Sequence, residues 1–131
     1  MRITLLIIGL MTSIVWCKGQ YSLPDYYDKL EYLEGQYDLD SLRIISTQFL
    51  EEAKKSPESS YYDWAKFYYG AYFWKIYPDS SLRLLKEAQS SFKKASNLHG
   101  LVKSTFYLCV LYYAHAYDLK ISVAYFQEGL E

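Results

Sequence analysis

Residues 61–77 read YYDWAKFYYGAYFWKIY and set ten aromatic rings in seventeen positions. So dense a cluster of rings leaves few folds open. Asp63, Lys66 and Gly70 fall at i, i+3 and i+7, a single narrow stripe along a helix. A half-buried strand would alternate at every second residue, and Tyr61-Tyr62 and Phe67-Tyr68-Tyr69 break that alternation. The spacing predicts a helix that is apolar around most of its circumference, so neighbours must cover it on more than one side. Lys75 near the C-terminal end suits the helix dipole, and Pro78 ends the helix by withholding a donor.

The chain of 131 residues suffices for one compact domain. At 51% apolar it can bury a sizeable core. Lys and Arg number 14 against 15 Asp and Glu, with the signs interspersed and no basic stripe or block. That distribution argues against nucleic acid as a partner.

The first twenty residues are of another kind. In MRITLLIIGLMTSIVWCKGQ, Arg2 supplies a positive start and Ile3 to Trp16 an apolar stretch, shorter than the roughly 18 residues of a membrane span. The order predicts a signal peptide over residues 1–19, hence a periplasmic or extracellular protein with no transmembrane span in the mature chain. Cys17 and Gly19 give the small residues for a cut before Gln20, the preferred site; Val15 and Cys17 serve a cut before Lys18. Acylation of Cys17 as a lipoprotein is the rival reading, and the bulky Trp16 fits it poorly. Loss of residues 1–19 removes Arg2 and Lys18, leaving a net charge of −3 from 12 cations and 15 anions. It also leaves Cys109 as the sole cysteine, so no internal disulfide can form. Set among Tyr107, Leu108, Val110 and Leu111, Cys109 is expected as a buried, inert thiol.

Beyond the leader the chain parses into helices parted by turn signals. Pro24 and Asp25 open a first helix, Pro24 to Glu34, closed by Gly35. Asp38 or Asp40 caps a second, which carries Leu42, Ile45, Phe49, Leu50 and Ala53 and ends at Ser56-Pro57. After the aromatic helix, Pro78-Asp79-Ser80-Ser81 caps a fourth with Leu82, Leu85, Ala88, Phe92 and Ala95. Asn97 to Gly100 reads as a turn, Leu101 to Tyr117 as a fifth helix, and Asp118 as the cap of a sixth. No segment alternates with period two, so the expected class is all-α.

The helices also repeat. Ser41-Leu42-Arg43-Ile44-Ile45 recurs forty residues on as Ser81-Leu82-Arg83-Leu84-Leu85. The same offset pairs Lys54 with Lys94, Phe67 with Tyr107, Tyr72 with Tyr112 and Phe73 with Tyr113. A repeat of this length signals a solenoid of helix hairpins. Phe106-x2-Cys109-Val110-x2-Tyr113, Ser122-x3-Phe126-x2-Gly129 and Ala88-x3-Phe92-x2-Ala95 resemble the paired helices of a tetratricopeptide repeat. Tyr69-Gly70-x2-Phe73 fits the first-helix pattern, with Gly70 where the partner helix must approach closely. The resemblance implies antiparallel helix hairpins stacked as a short α-solenoid, about three hairpins over residues 20–131, the last one incomplete.

Catalysis finds little in this inventory. His99 reads as a turn residue, and His115 has no second ligand one helical turn away, so neither a metal nor a cofactor is expected. Asp25, Asp28, Glu31 and Glu34 recur every third residue and read as a solvated helix face. The function expected is therefore a non-enzymatic scaffold of the bacterial envelope or exterior that binds a protein or peptide. The input fragment of a larger envelope regulator and a glycan-binding repeat are the alternatives. The resemblance implies a groove on the first-helix face turned away from the second helix. Carried through Gly70, that face is Trp64, Phe67, Ala71, Trp74 and Lys75, and forty residues on it is Ser104, Tyr107, Leu111, Ala114 and His115. For Trp64 and Trp74, packing against the N-terminal hairpin is the reading set slightly ahead of partner contact. At the other end, Val123, Tyr125, Phe126 and Leu130 are expected to leave an apolar edge for self-association or for continuation of the chain.

Overall fold

The computed structural model describes residues 21–116 and 119–128. Among them the chain is all-α. Helices α1 (Leu23–Gln36), α2 (Leu39–Ala53), α3 (Ser60–Phe73), α4 (Pro78–Lys94), α5 (Leu98–Leu111) and α6 (Leu119–Glu128) follow in order, with a π-helical stretch at Tyr112–Ala116. The leader, Gln20, Tyr117, Asp118, Gly129 and Leu130 lie outside the described residues.

Local chemistry explains the helix starts. Ser22 and Asp25 form a reciprocal capping box at α1: the Ser22 amide donates to Asp25 Oδ2 at 2.9 Å and the Asp25 amide to Ser22 Oγ at 3.4 Å. Asp38, rather than Asp40, caps α2 by accepting from the Ser41 amide at 3.1 Å. Pro78 sits in the first turn of α4, where its missing donor costs nothing.

The helix ends differ from expectation in three places. Gly35 is inside α1, and the stop falls at Tyr37, which takes the left-handed conformation at φ 57°. The aromatic helix ends at Phe73, well before Pro78, because the backbone already turns through Ile76 and Tyr77 onto the Phe73 carbonyl. His99 and Gly100 belong to the first turn of α5, capped by Asn97, whose Oδ1 accepts from the Gly100 amide at 3.0 Å.

Each helix packs on the next in sequence, and short connections make these pairs antiparallel. Along α3 and α4, Gly70 meets Ser81 and Leu85 while Lys66 reaches Glu87. The first helices of the hairpins, by contrast, run parallel and side by side. Tyr27 on α1 meets Trp64 on α3 with ring centroids 5.0 Å apart, and Tyr72 on α3 meets Tyr107 on α5 at 6.0 Å. Helix α3 therefore touches α1, α2, α4 and α5, the multi-sided cover its composition demands. Phe67 and Tyr68 are wholly buried there, and full burial of such a ring contributes about 1.5–3 kcal/mol.

The polar stripe of α3 faces α4 rather than water. Lys66 is buried, its Nζ 2.9 Å from Asp63 and 4.7 Å above the Tyr62 ring. Gly70 gives α4 room to close in: a methyl group there would lie 2.8 Å from Leu85 Cγ and 3.1 Å from the Ser81 carbonyl oxygen. At the far end, Val123 and Phe126 on α6 are exposed, whereas Tyr125 stacks on Tyr112 at 5.4 Å. Cys109 is half-buried, with Sγ 3.2 Å from Ser122 Oγ.

Candidate functional site

The three parallel first helices bring one face of each into a shared polar seam. On α1, Glu31 and Glu34 lie one turn apart; on α3, Tyr68 and Tyr72; on α5, Lys103 and Tyr107. The seam is closely bonded. Tyr68 donates its hydroxyl to Glu31, and Tyr72 donates to Glu34 Oε1 at 2.6 Å. Lys103 Nζ lies 2.7 Å from Glu31 Oε1 and 2.6 Å from Glu34 Oε2, joining α5 to α1 across α3. The Tyr107 hydroxyl stands 3.4 Å from Glu34 Oε1 and 3.5 Å from the Tyr72 hydroxyl. Lys103 also sits over the rings of Tyr68 and Phe67, at 5.3 and 5.7 Å from their centroids.

Electrostatics follow from this geometry. Burial pushes the Tyr72 phenol far above its ordinary range, and the bond to Glu34 adds to the shift. Burial and then Glu31 do the same to Tyr68. For Glu31 burial works toward a higher value, but hydrogen bonds from Lys103 and Tyr68 outweigh it and hold the carboxyl below its usual range. The Tyr68 and Tyr72 phenols thus stay protonated and Glu31 ionised. Each phenol is committed to a carboxylate partner within the seam.

Beside the seam, where α1 ends and α2 begins, a pocket of about 280 Å³ opens between Glu34, Tyr37, Leu39, Leu42, Tyr72 and Tyr107. Tyr37 stands at its rim with 91% of its surface exposed. A second pocket of about 310 Å³ lies among α2, α3 and α4, and its charged walls include the paired Arg83 and Glu87.

The groove residues expected from the repeat resemblance are placed mostly in the core. Trp64, Phe67, Ala71, Ser104 and Leu111 are buried. Trp64 is enclosed by Tyr27, Phe92 and His99, with ring centroids 5.0, 4.6 and 5.4 Å away. Ser104 donates to the Gly100 carbonyl at 2.8 Å, within its own helix. Tyr107 belongs to the seam. Trp74 is half-buried at the end of α3, with Lys75 Nζ 5.2 Å above its ring. Ala114 is exposed, and the His115 side chain lies outside the described residues.

Glu31, Glu34 and Lys103 are the residues that the sequence reading missed. Glu31 and Glu34 face α3 while Asp28 faces water, so the acidic row of α1 is divided between two environments. A signal was present. Lys103 is the one charged residue in the run LVKSTFYLCVL, and a cation on so apolar a helix calls for a carboxylate elsewhere in the fold.

The chain matches no protein-family model, no curated protein and no solved structure. Among the described residues no group of three or more His, Cys, Asp or Glu could hold a metal ion, and no helix is long and apolar enough to cross a membrane.

Proposed function

We propose that this chain is a non-enzymatic interaction scaffold of tetratricopeptide-like design, exported to the envelope or exterior, which binds a protein segment along α1, α3 and α5. The observation that carries the reading is the parallel alignment of these three helices, which sets the seam and the Glu34–Tyr72–Tyr107 pocket on one continuous face. A face built from three separate hairpins gives a partner contacts that exist only in the folded stack. Tyrosine rings with polar tips are the usual material of recognition surfaces. The apolar order of residues 3–16 behind Arg2 supports export.

Selection of peptides from a random display library against the purified chain tests the reading, with each selected peptide mapped by amide shifts. Peptides that perturb α1, α3 and α5 together support it. A library that yields none for this face, with an oligosaccharide panel binding instead, contradicts it.

A further inference from the structure

Resting on that reading, we infer that the Glu34–Tyr72–Tyr107 pocket is the seat of a basic side chain, lysine or arginine, from the bound segment. At about 280 Å³ it lies just under the roughly 300–1,000 Å³ of sites that enclose a whole small molecule, and it suits a single side chain. Leu39, Leu42 and the tyrosine rings offer an apolar wall for a methylene stem. Glu34 supplies the polar end. A carboxylate has about four acceptor directions. Tyr72 and Tyr107 point to Oε1 and Lys103 to Oε2, which leaves one direction on Oε2 for a further donor. The rings of Tyr37, Tyr72 and Tyr107 add a favourable surface for a cation.

Charge in the lining points the same way. Asp38 and Asp40 are exposed and alternate along the chain with the lining residues Tyr37 and Leu39. The nearby cations are already engaged: Lys103 by Glu31 and Glu34, and Arg43 by the Tyr72 carbonyl, 3.1 Å from its Nε. Among the described residues Glu34 is the one charged residue of the lining, which repels an anion and attracts a base. The source is a peptide rather than free arginine, whose own carboxylate would be brought close to Glu34.

Tyrosine ring signals of the labelled protein test the inference by titration with acetyl-Gly-Arg-Gly-amide, its citrulline counterpart and free arginine. The arginine peptide should shift Tyr37, Tyr72 and Tyr107 saturably, with citrulline and free arginine each about tenfold weaker, a difference of about 1.4 kcal/mol. Glu34→Gln should weaken the arginine peptide about tenfold. Tyr37→Gly should also weaken it without loss of fold, because glycine adopts the left-handed conformation of that position without strain. Equal binding of the citrulline peptide, equal binding of free arginine, or no saturable shift would each overturn the inference. Library peptides that bind α1, α3 and α5 without a basic residue would overturn it too while leaving the scaffold reading intact.

Discussion

Lys103 Nζ lies 2.6 Å from Glu34 Oε2, though the two residues stand 69 positions apart and on the first and fifth helices. Their contact ties the outer two of three parallel helices together over the middle one. With Lys103–Glu31 and Tyr107–Glu34 it is among the longest-range polar links described in the fold, and it puts charge where each helix, taken by itself, would place a neutral residue.

Replacing Lys103 by methionine should lower stability by about 2 kcal/mol, because Glu31 and Glu34 are then half-buried without their cation. The figure is below that for a fully buried pair, since both carboxylates keep some contact with water. Chemical denaturation measures it. Adding Glu31→Gln and Glu34→Gln to Lys103→Met should recover part of the loss, a non-additivity that identifies the link as a coupled network.

Stability should fall at both ends of the pH scale. The Glu31 carboxyl is held below its ordinary 4.5 because bonds from Lys103 and Tyr68 overcome the opposing effect of burial. A lowered folded value contributes stability that is complete above the unfolded value and lost as pH falls through the folded one. Tyr68 and Tyr72 are raised, by burial first, so their contribution is complete below their ordinary 10.0 and lost as pH rises beyond it. Denaturation midpoints across a pH series check this. Glu31→Gln should flatten the acid limb and only weaken the alkaline limb, since burial, the larger cause, still raises Tyr68 and Tyr72.

Two glycines should respond in opposite directions to alanine. At Gly70 the new methyl would meet Leu85 Cγ at 2.8 Å and the Ser81 carbonyl oxygen at 3.1 Å, and that backbone atom cannot swing away. Overpacking should cost about 1–3 kcal/mol, partly offset by about 1 kcal/mol of helix propensity. At Gly35 nothing lies within 4 Å, so the propensity gain of about 0.5–1 kcal/mol should appear undiminished. Thermal melts of the two variants on opposite sides of the natural protein would bear this out.

Ser81 is wholly buried at the α3–α4 contact, and its Oγ has no partner among the described residues. Alanine should stabilise the protein there by about 1 kcal/mol, since an unpaired buried hydroxyl costs about 1–3 kcal/mol and the void left is small. A lower melting temperature for Ser81→Ala would show instead that the hydroxyl holds a water.

Much of this fold is legible in the sequence because its determinants are local. Turn residues and helical spacing mark the helices, and Gly70 marks the close approach of α4. The errors arise where the determinant is distant. Gly35 looked like a stop because glycine usually ends helices, yet packing of Leu30 and Leu33 carries α1 on to Gln36 and leaves Tyr37 to turn the chain. The repeat pattern puts Trp64 and Phe67 on a groove face, with packing on the N-terminal hairpin the favoured reading for Trp64, because the pattern fixes a face but not what fills it. Here Tyr27, Phe92, His99 and Tyr107 are bulky enough to close over them. Glu31 and Glu34 looked solvated because their cation lies about seventy residues away, beyond any local pattern.

The affinity of library-selected peptides for two variants on opposite faces locates the partner surface. Tyr37→Gly removes an exposed ring at the rim of the Glu34 pocket and relieves a left-handed tyrosine, so its melting temperature should hold or rise. Arg83→Ala alters the pocket among α2, α3 and α4, away from the seam. Binding should be about tenfold weaker for Tyr37→Gly and unchanged for Arg83→Ala. Unchanged binding in Tyr37→Gly, with a clear loss in Arg83→Ala, would contradict that expectation and move the partner face to the other side of the stack.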